Sequence, residues 1–214
     1  NDRWVAAVAS NWWAANKALD LMDPEFAVAG KPIDSAGIAE ALERAFTSPD
    51  ARRLHKKGEL GPVFEKATIV ASEYAVAPVL HLATEPMAAT ARIKDGTAEV
   101  WMATQAPAFA RAAIADALGL SEQSVILYPL HAGGSFGRKM DFEVGVQAAL
   151  IARDVGRPVQ LMWSRLEDVI QDRPSAPAQA RMAAKLGRGG TIEGWLAKVA
   201  APRALAETWH RIAD

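Results

Sequence analysis

A glycine-rich segment near the middle of the chain constrains its fold more than any other feature. Residues 131–139 read His-Ala-Gly-Gly-Ser-Phe-Gly-Arg-Lys, between an apolar run at 125–130 and a helical pattern that begins near Asp141. Three glycines within five residues permit sharp backbone turns and expose N–H groups to a closely approaching ligand. The segment predicts a loop that cradles a large cofactor, and the alternative is a tight connection between a strand and a helix.

Composition excludes several classes of function. The chain has 214 residues, of which 50% are hydrophobic, and this is enough apolar material for one core or two small ones. A net charge of -1 gives no global footprint for nucleic acid, and the basic cluster at residues 52–57 is typical of a solvated linker. The absence of cysteine excludes disulfides and iron–sulfur ligation by this sequence, and no apolar run reaches the ~20 residues of a membrane span.

The periodicity and the turn residues predict an α+β fold with mixed sheets and packed helices. A polar segment at residues 47–62 looks like a connector, and the order of strand, glycine loop, helix and strand over residues 125–163 is that of a crossover unit. Helices are expected at 11–22, 36–46, 107–118 and 141–154, and strands at 4–9, 68–76, 88–93, 97–103, 125–130, 158–163, 178–186 and 191–199.

One catalytic motif occurs inside the glycine loop. Residues 133–137 match G-x-S-x-G, which makes Ser135 a candidate nucleophile. Asp168 or Asp172 and then His210 follow in the chain order of an α/β-hydrolase triad. A nucleophile elbow needs its helix directly after the serine, however, and Arg-Lys-Met intervene here. A serine hydrolase therefore stays an alternative that explains only one loop.

Four patterns in fixed order carry a more specific signal. They are His81-x-x-x-Glu-Pro-Met87, Val100-Trp-x-x-Thr-Gln-x-Pro107, Gly133-Gly-x-Phe-Gly-Arg138 and Pro158-Val-x-Leu-x-Trp-x-Arg-x-Glu-Asp168. Together they resemble the molybdenum-cofactor-binding subunit of the xanthine dehydrogenase and aldehyde oxidase family, and within it the isoquinoline oxidoreductase beta-subunit branch. The resemblance covers nearly the whole chain.

The resemblance implies a domain plan and an activity. Residues 1–67 would be the C-terminal part of an α/β hammerhead domain with its connector, and residues 68–214 the first molybdopterin-cofactor-binding domain. Such an enzyme is an oxidoreductase that hydroxylates carbon centres of N-heteroaromatic or aldehyde substrates with oxygen from water. The implied cofactor is molybdopterin cytosine dinucleotide, or molybdopterin, with molybdenum.

The resemblance also implies partners. They are the remaining domains of the molybdenum subunit, a separate 2Fe-2S subunit that takes the electrons, and a small aromatic or aldehyde substrate. Neither a nucleic acid nor a membrane span is expected, and dimerisation through exposed apolar surface is a further expectation. Both a periplasmic and a cytoplasmic location are compatible with the sequence.

Cofactor-binding roles are implied for seven residues, namely Gln105, Gly133, Gly134, Ser135, Phe136, Gly137 and Arg138. The amide of Gln105 would hydrogen-bond an oxygen ligand of the metal, a task that requires a donor without charge. The loop would contribute main-chain N–H groups, and Arg138 would bind a pterin or phosphate group. No side chain is implied as a metal ligand. The alternatives are a polar strand end for Gln105, a core position for Phe136 and solvent exposure for Arg138.

Several departures from the family pattern bear on function. Ser135 stands where the family usually has a third glycine, which is tolerable if its φ is negative. Met140 occupies the place of a substrate-binding glutamate in xanthine-oxidising relatives, which argues against purine recognition by that carboxylate. No segment resembles the region that carries the family's catalytic glutamate. The chain is therefore expected to be a portion of the enzyme and inactive alone, and a noncatalytic interaction domain is the remaining alternative.

Other conspicuous residues have structural explanations. His81 and Glu85 at helical spacing could suggest metal ligands, but Pro86 and the lack of a third ligand favour structural hydrogen bonds. Four tryptophans lie in apolar patterns and are expected in the core: Trp12, Trp101, Trp163 and Trp195.

Overall fold

The computed structural model of the chain describes residues 3–27, 30–65 and 67–204. Its contacts divide the chain into two compact units, residues 1–34 and residues 35–214. The second unit contains a three-stranded and a four-stranded sheet together with helices. The expected α+β class is confirmed.

The first unit is built around helix α1 (Trp12–Met22). Asn11 caps the helix, because its side chain accepts a hydrogen bond from the N–H of Ala14 at 2.9 Å. The expected strand at residues 4–9 is wrong, since these residues have no strand conformation. An apolar run becomes a strand only where another strand accepts its hydrogen bonds, and the described residues of this unit offer none.

The second unit contains twelve α-helices and β-strands among its described residues, and most agree with the sequence predictions to within one or two positions. In chain order they are α2 (Ser35–Ala45), α3 (Leu60–Phe64), β1 (Ile69–Val76), β2 (Ala88–Lys94), β3 (Thr97–Met102), α4 (Pro107–Leu118), β4 (Val125–Pro129), α5 (Glu143–Val155), β5 (Val159–Met162), α6 (Arg165–Ile170), β6 (Ala178–Leu186) and β7 (Ile192–Ala200).

The four-stranded sheet has the order β4-β3-β2-β5, with β3 parallel to β4 and β2 antiparallel to both β3 and β5. One face of β2 and β3 carries small or apolar side chains at alternate positions, and helices α4 and α5 cover this face. Two residues at the centre of this layer, Val100 and Ile114, are completely buried. The predicted crossover from β4 through α5 to β5 is present, but it spans the sheet from one edge strand to the other.

The three-stranded sheet has the order β1-β6-β7 and is antiparallel throughout. Helix α2 packs on it through Leu42, and Phe46 and Ala200 complete this small core. The predicted hairpin of β6 and β7 is confirmed. The other side of the sheet exposes apolar side chains, including Trp195, which is 50% exposed.

Only part of the tryptophan prediction holds. Trp163 is buried, and Trp101 is partly buried against Tyr128, with ring centroids 4.9 Å apart. Trp12 and Trp195 are exposed, so the prediction is wrong for these two. Periodicity identifies an apolar face but not whether another element covers it. Within the described residues, no helix combines the length and the apolar character needed to cross a membrane.

Candidate functional site

Sheet topology brings the predicted cofactor residues to one edge. Strands β3 and β4 are parallel, so the segments that follow them leave the sheet on the same side. Gln105 lies just after β3, and the glycine loop, residues 131–137, follows β4. The segment before β2, which includes Glu85, reaches the same edge because β2 runs in the opposite direction. Three separate segments therefore meet there.

The glycine loop needs its glycines for two different reasons. Gly134 and Gly137 have φ angles of +97° and +111°, which side chains with a Cβ rarely adopt. At Gly133 the limit is space, because a Cβ there would lie 2.7 Å from the Cβ of Glu85. Ser135, in contrast, is not in the left-handed region, so the condition for a serine at this position is met.

Phe136 forms the exposed tip of the loop. Its φ is +57°, which is unusual for an aromatic residue, and its side chain is 74% exposed. The alternative that Phe136 is a core side chain is therefore wrong. The strained turn at this position directs the ring away from the domain interior, and an exposed aromatic ring held in a strained conformation is typical of a binding loop.

Gln105, Ser135 and Lys139 are joined by three hydrogen bonds. The N–H of Gln105 donates to the carbonyl of Lys139 at 2.8 Å, and the N–H of Lys139 donates to Ser135 Oγ at 3.2 Å. The hydroxyl of Ser135 in turn donates to Oε1 of Gln105. The expected proximity of Gln105 and the glycine loop is thus present, while their role as cofactor ligands stays a prediction.

Lys139 also fastens the glycine loop to the segment before β2. Only 1% of this residue is exposed, and its ammonium donates to Oε2 of Glu85 at 2.5 Å and to the carbonyl of Gly134 at 3.0 Å. The same Oε2 accepts the N–H of Gly133 at 2.9 Å. Burial by itself raises the pKa of Glu85, but the bonds from Lys139 and Gly133 and the charge of Lys139 bring that pKa below its ordinary value.

Arg138 points into the domain. It is 4% exposed, its Nη1 donates to Asp141 at 2.8 Å, and its Nε lies 3.7 Å from Asp168 and 3.5 Å from Asp172. Its guanidinium also lies over the ring of Trp163, 5.4 Å from the centroid. The alternative of an exposed arginine is wrong, and a role toward a pterin stays a prediction. In the structure, Arg138 neutralises carboxylates beneath the loop.

His81 is held in place by Asp172. Its main-chain N–H donates to Oδ2 at 2.7 Å, and its ring Nδ1 lies 2.8 Å from Oδ1. Burial by itself raises the pKa of Asp172, but the two bonds from His81 and the charges of His81 and Arg138 lower it below its ordinary value. The structural explanation of His81 and Glu85 is confirmed, because each is engaged in hydrogen bonds with protein groups.

The contacts of Ser135 differ from those of a hydrolase nucleophile. Its hydroxyl bonds to Gln105 and to the N–H of Lys139, and no histidine among the described residues is bonded to it. Asp172, a candidate triad acid, pairs with His81. The candidate base His210 lies outside the described residues. The arrangement therefore does not favour nucleophilic catalysis by Ser135.

Sequence reasoning missed the role of Lys139. In the sequence Lys139 only separates the glycine loop from the helix, but in the structure its ammonium and both main-chain polar groups join the three segments. A lysine beside a glycine loop is commonly solvated, and its partner Glu85 is 54 positions away in sequence. The only sequence signal for this role is the position of the Lys139 charge between the glycine loop and the mostly apolar helix α5.

Comparison with known families gives a match over most of the chain. The model described as the molybdopterin cofactor-binding domain matches residues 46–207. Among individual relatives, the membrane-bound aldehyde dehydrogenase (pyrroloquinoline-quinone) of Gluconacetobacter polyoxogenes is 29% identical over 84% of this chain and 24% of the relative. Isoquinoline 1-oxidoreductase subunit beta of Brevundimonas diminuta is 36% identical over 35% of this chain and 10% of the relative.

Solved structures share the fold. Aldehyde oxidoreductase from Desulfovibrio gigas superposes with a TM-score of 0.61 at 20% identity, covering 80% of this chain and 20% of that one. Quinoline 2-oxidoreductase from Pseudomonas putida 86 has a TM-score of 0.57 at 23% identity, covering 66% of this chain and 18% of that one. The chain thus spans about a quarter or less of the length of these relatives.

Proposed function

Because the chain belongs to the molybdopterin cofactor-binding domain family, we propose that it forms one wall of the cofactor site of a molybdenum hydroxylase. The observation that carries the proposal is the meeting of Gln105, the glycine loop and the Glu85 segment at one sheet edge, joined by Lys139. These segments are distant in sequence, and an ion pair between the buried Lys139 and the half-exposed Glu85 holds them together. Such rigid support is what a preorganised binding site requires.

The residues at this edge fit a large anionic cofactor. Gln105 is exposed, and within the described residues its Nε2 group makes no hydrogen bond to protein, so it is available as a neutral donor. The positive φ angles of Gly134 and Gly137 open the loop backbone, and Phe136 offers an exposed aromatic surface. We assign the hold on the cofactor to Gln105 and to the main chain of residues 133–137, with Arg138 supporting the loop from below.

The bound cofactor would supply the two-electron chemistry that transfers water-derived oxygen to carbon. The chain's own residues would bind and orient the cofactor. The Gln105 amide would donate a hydrogen bond to one of its oxygen atoms. The glycines of the loop would let the cofactor contact the main chain, because they have no side chains in the way. The catalytic base would come from another part of the enzyme, outside the part that this chain resembles. General-base catalysis contributes typically about 10²–10⁴-fold, so the assembly depends on that part.

Finer features of the proposal rest on the isoquinoline oxidoreductase resemblance and on the subunit names of relatives such as isoquinoline 1-oxidoreductase subunit beta. They are molybdopterin cytosine dinucleotide as the cofactor form, N-heteroaromatic or aldehyde substrates, and a separate 2Fe-2S subunit that receives the electrons. We also assign residues 1–67 to the C-terminal part of a hammerhead domain with its connector and residues 68–214 to the first cofactor-binding domain.

The test is a cofactor analysis of the assembled enzyme that contains this chain. Metal analysis should find molybdenum in stoichiometric amount, and acid hydrolysis should release a pterin with cytidine monophosphate. Gln105→Ala should reduce dye-linked oxidation of an N-heteroaromatic or an aldehyde. An assembly without molybdenum or pterin would overturn the proposal, and specific labelling of Ser135 by a fluorophosphonate would support the hydrolase instead.

A further inference from the structure

The hydroxyl of Ser135 is the one feature of the glycine loop that acts on Gln105 directly. It donates to Oε1 of the Gln105 amide, and the N–H of Lys139 donates to the same hydroxyl at 3.2 Å. A glycine at position 135, as is usual in the resembling family, would have no such group. This sequence thus adds a contact that the loop backbone alone cannot make.

In this contact Ser135 is the donor and the Gln105 amide oxygen is the acceptor. A serine hydroxyl has one proton to donate, and the Lys139 N–H already occupies one of its acceptor positions. The hydroxyl proton is directed to Oε1 of Gln105, which accepts it. If the amide rotated by half a turn, its NH₂ group could donate to the second acceptor position of the hydroxyl, but the hydroxyl proton would then have no acceptor on Gln105.

The backbone around this contact is fixed on both sides. Gln105 N–H donates to the carbonyl of Lys139, whose own N–H donates to Ser135. The hydrogen bond from the Ser135 hydroxyl to the Gln105 side chain completes a ring of three hydrogen bonds. The buried ammonium of Lys139 is bonded to Glu85 and to the carbonyl of Gly134, so the main chain of Lys139 that contacts Gln105 and Ser135 is held in place.

From this geometry we propose that Ser135 is a positioning residue that sets the orientation of the Gln105 amide. With one lone pair of Oε1 engaged by the hydroxyl and Nε2 not bonded to the described protein groups, the NH₂ group of Gln105 is the one turned toward a ligand. An oxygen-rich ligand group would then meet N–H bonds and not a carbonyl lone pair. This inference deepens the proposed function and rests on it for the identity of the ligand.

The first experiment uses no cofactor. In the ¹⁵N-labelled chain, the side-chain NH₂ signals of Gln105 are assigned by comparison with Gln105→Glu, and their heteronuclear NOE is measured. Ser135→Ala should lower the NOE toward that of a freely rotating side chain. Ser135→Thr retains the hydroxyl and should keep it near the parent value, while backbone spectra report whether each variant is folded.

The second experiment measures the consequence in the assembled enzyme. Loss of one hydrogen bond of ordinary net strength predicts about a two- to tenfold drop in molybdopterin affinity for Ser135→Ala, with Ser135→Thr close to the parent. An unchanged Gln105 NOE in folded Ser135→Ala would overturn the positioning role. An assembly that lacks molybdopterin, with the NOE behaving as expected, would instead overturn the proposed function and leave the positioning role intact.

Discussion

Lys139 and Glu85 form an ion pair with unequal burial. The lysine is 1% exposed, whereas 41% of the Glu85 side chain is accessible, and Nζ lies 2.5 Å from Oε2. A buried ammonium that loses its carboxylate cannot be hydrated, whereas a carboxylate at the surface can. The two halves of the pair are therefore expected to respond differently to mutation.

Glu85→Ala should destabilise the chain more than Lys139→Met. The first change leaves a buried charge with only carbonyl partners and should lower the free energy of unfolding by about 3–5 kcal/mol. The second leaves a carboxylate that water can reach, at a cost of about 1–3 kcal/mol. Urea unfolding measures both values. Lys56→Met, which breaks the exposed pair with Glu59, is the control and should cost at most about 1 kcal/mol. Equal losses for Lys139→Met and Lys56→Met would show that the Lys139–Glu85 ion pair does not stabilise the fold.

Acid should weaken the ion pair between Lys139 and Glu85. The pKa of Glu85 is lowered in the folded chain, so its stabilising contribution is complete above the ordinary value of 4.5 and is lost as the pH falls through the lower folded pKa. Asp172, whose pKa is also lowered, acts in the same direction. Unfolding free energies measured between pH 7 and pH 3 should therefore decline below about the ordinary carboxyl pKa of 4.5.

Glu85→Gln removes the titrating group and should flatten this decline. Glu65→Gln changes an exposed glutamate at the end of α3 and should leave the parent profile unchanged. If Glu85→Gln and the parent lost stability in parallel, the lowered pKa of Glu85 would not contribute to acid sensitivity.

The sequence predicted those parts of the fold that local signals specify. Helix α4 begins at Pro107 and ends before Gly119, as expected, because proline suits the first turn and a glycine with φ of +67° suits the end. The failed strand at residues 4–9 shows the opposite case, since strand formation depends on a partner that composition does not reveal.

For the candidate site, the sequence predicts the motif residues but not the side-chain partners that hold them in place. Gln105 and the glycine loop were identified from motifs, and their proximity follows from the parallel pairing of β3 with β4. The partners of Lys139 and Arg138 were not predictable, because they come from residues up to 54 positions distant and depend on side-chain burial. Periodicity carries no information about such pairs.

Gly134→Val should separate backbone strain from obstruction of the cofactor. The φ of Gly134 is +97°, which is unfavourable for a β-branched residue, so the backbone strain should lower the free energy of unfolding by about 1–3 kcal/mol. Gly119→Val is a matched control, because Gly119 also has a positive φ but no neighbour within 4 Å of an added Cβ. Both variants should lose stability in urea, but only Gly134→Val should lower the molybdenum content of the assembled enzyme. Equal metal content in the two would argue against a cofactor loop.

The chain on its own should be catalytically silent. It spans at most about a quarter of the relatives compared, and the family resemblance leads us to expect the catalytic glutamate in a region that this chain does not resemble. Losing the base removes roughly 10²–10⁴-fold in rate, and losing the opposite wall of the site removes positioning as well. Purified residues 1–214 should therefore fold, carry little or no molybdenum, and bind an apolar dye through exposed side chains such as Val70 and Val199. Size-exclusion chromatography should show whether that surface forms a homodimer. Dye-linked oxidation of an aldehyde by the isolated chain, with stoichiometric molybdenum, would show that these residues alone complete the site.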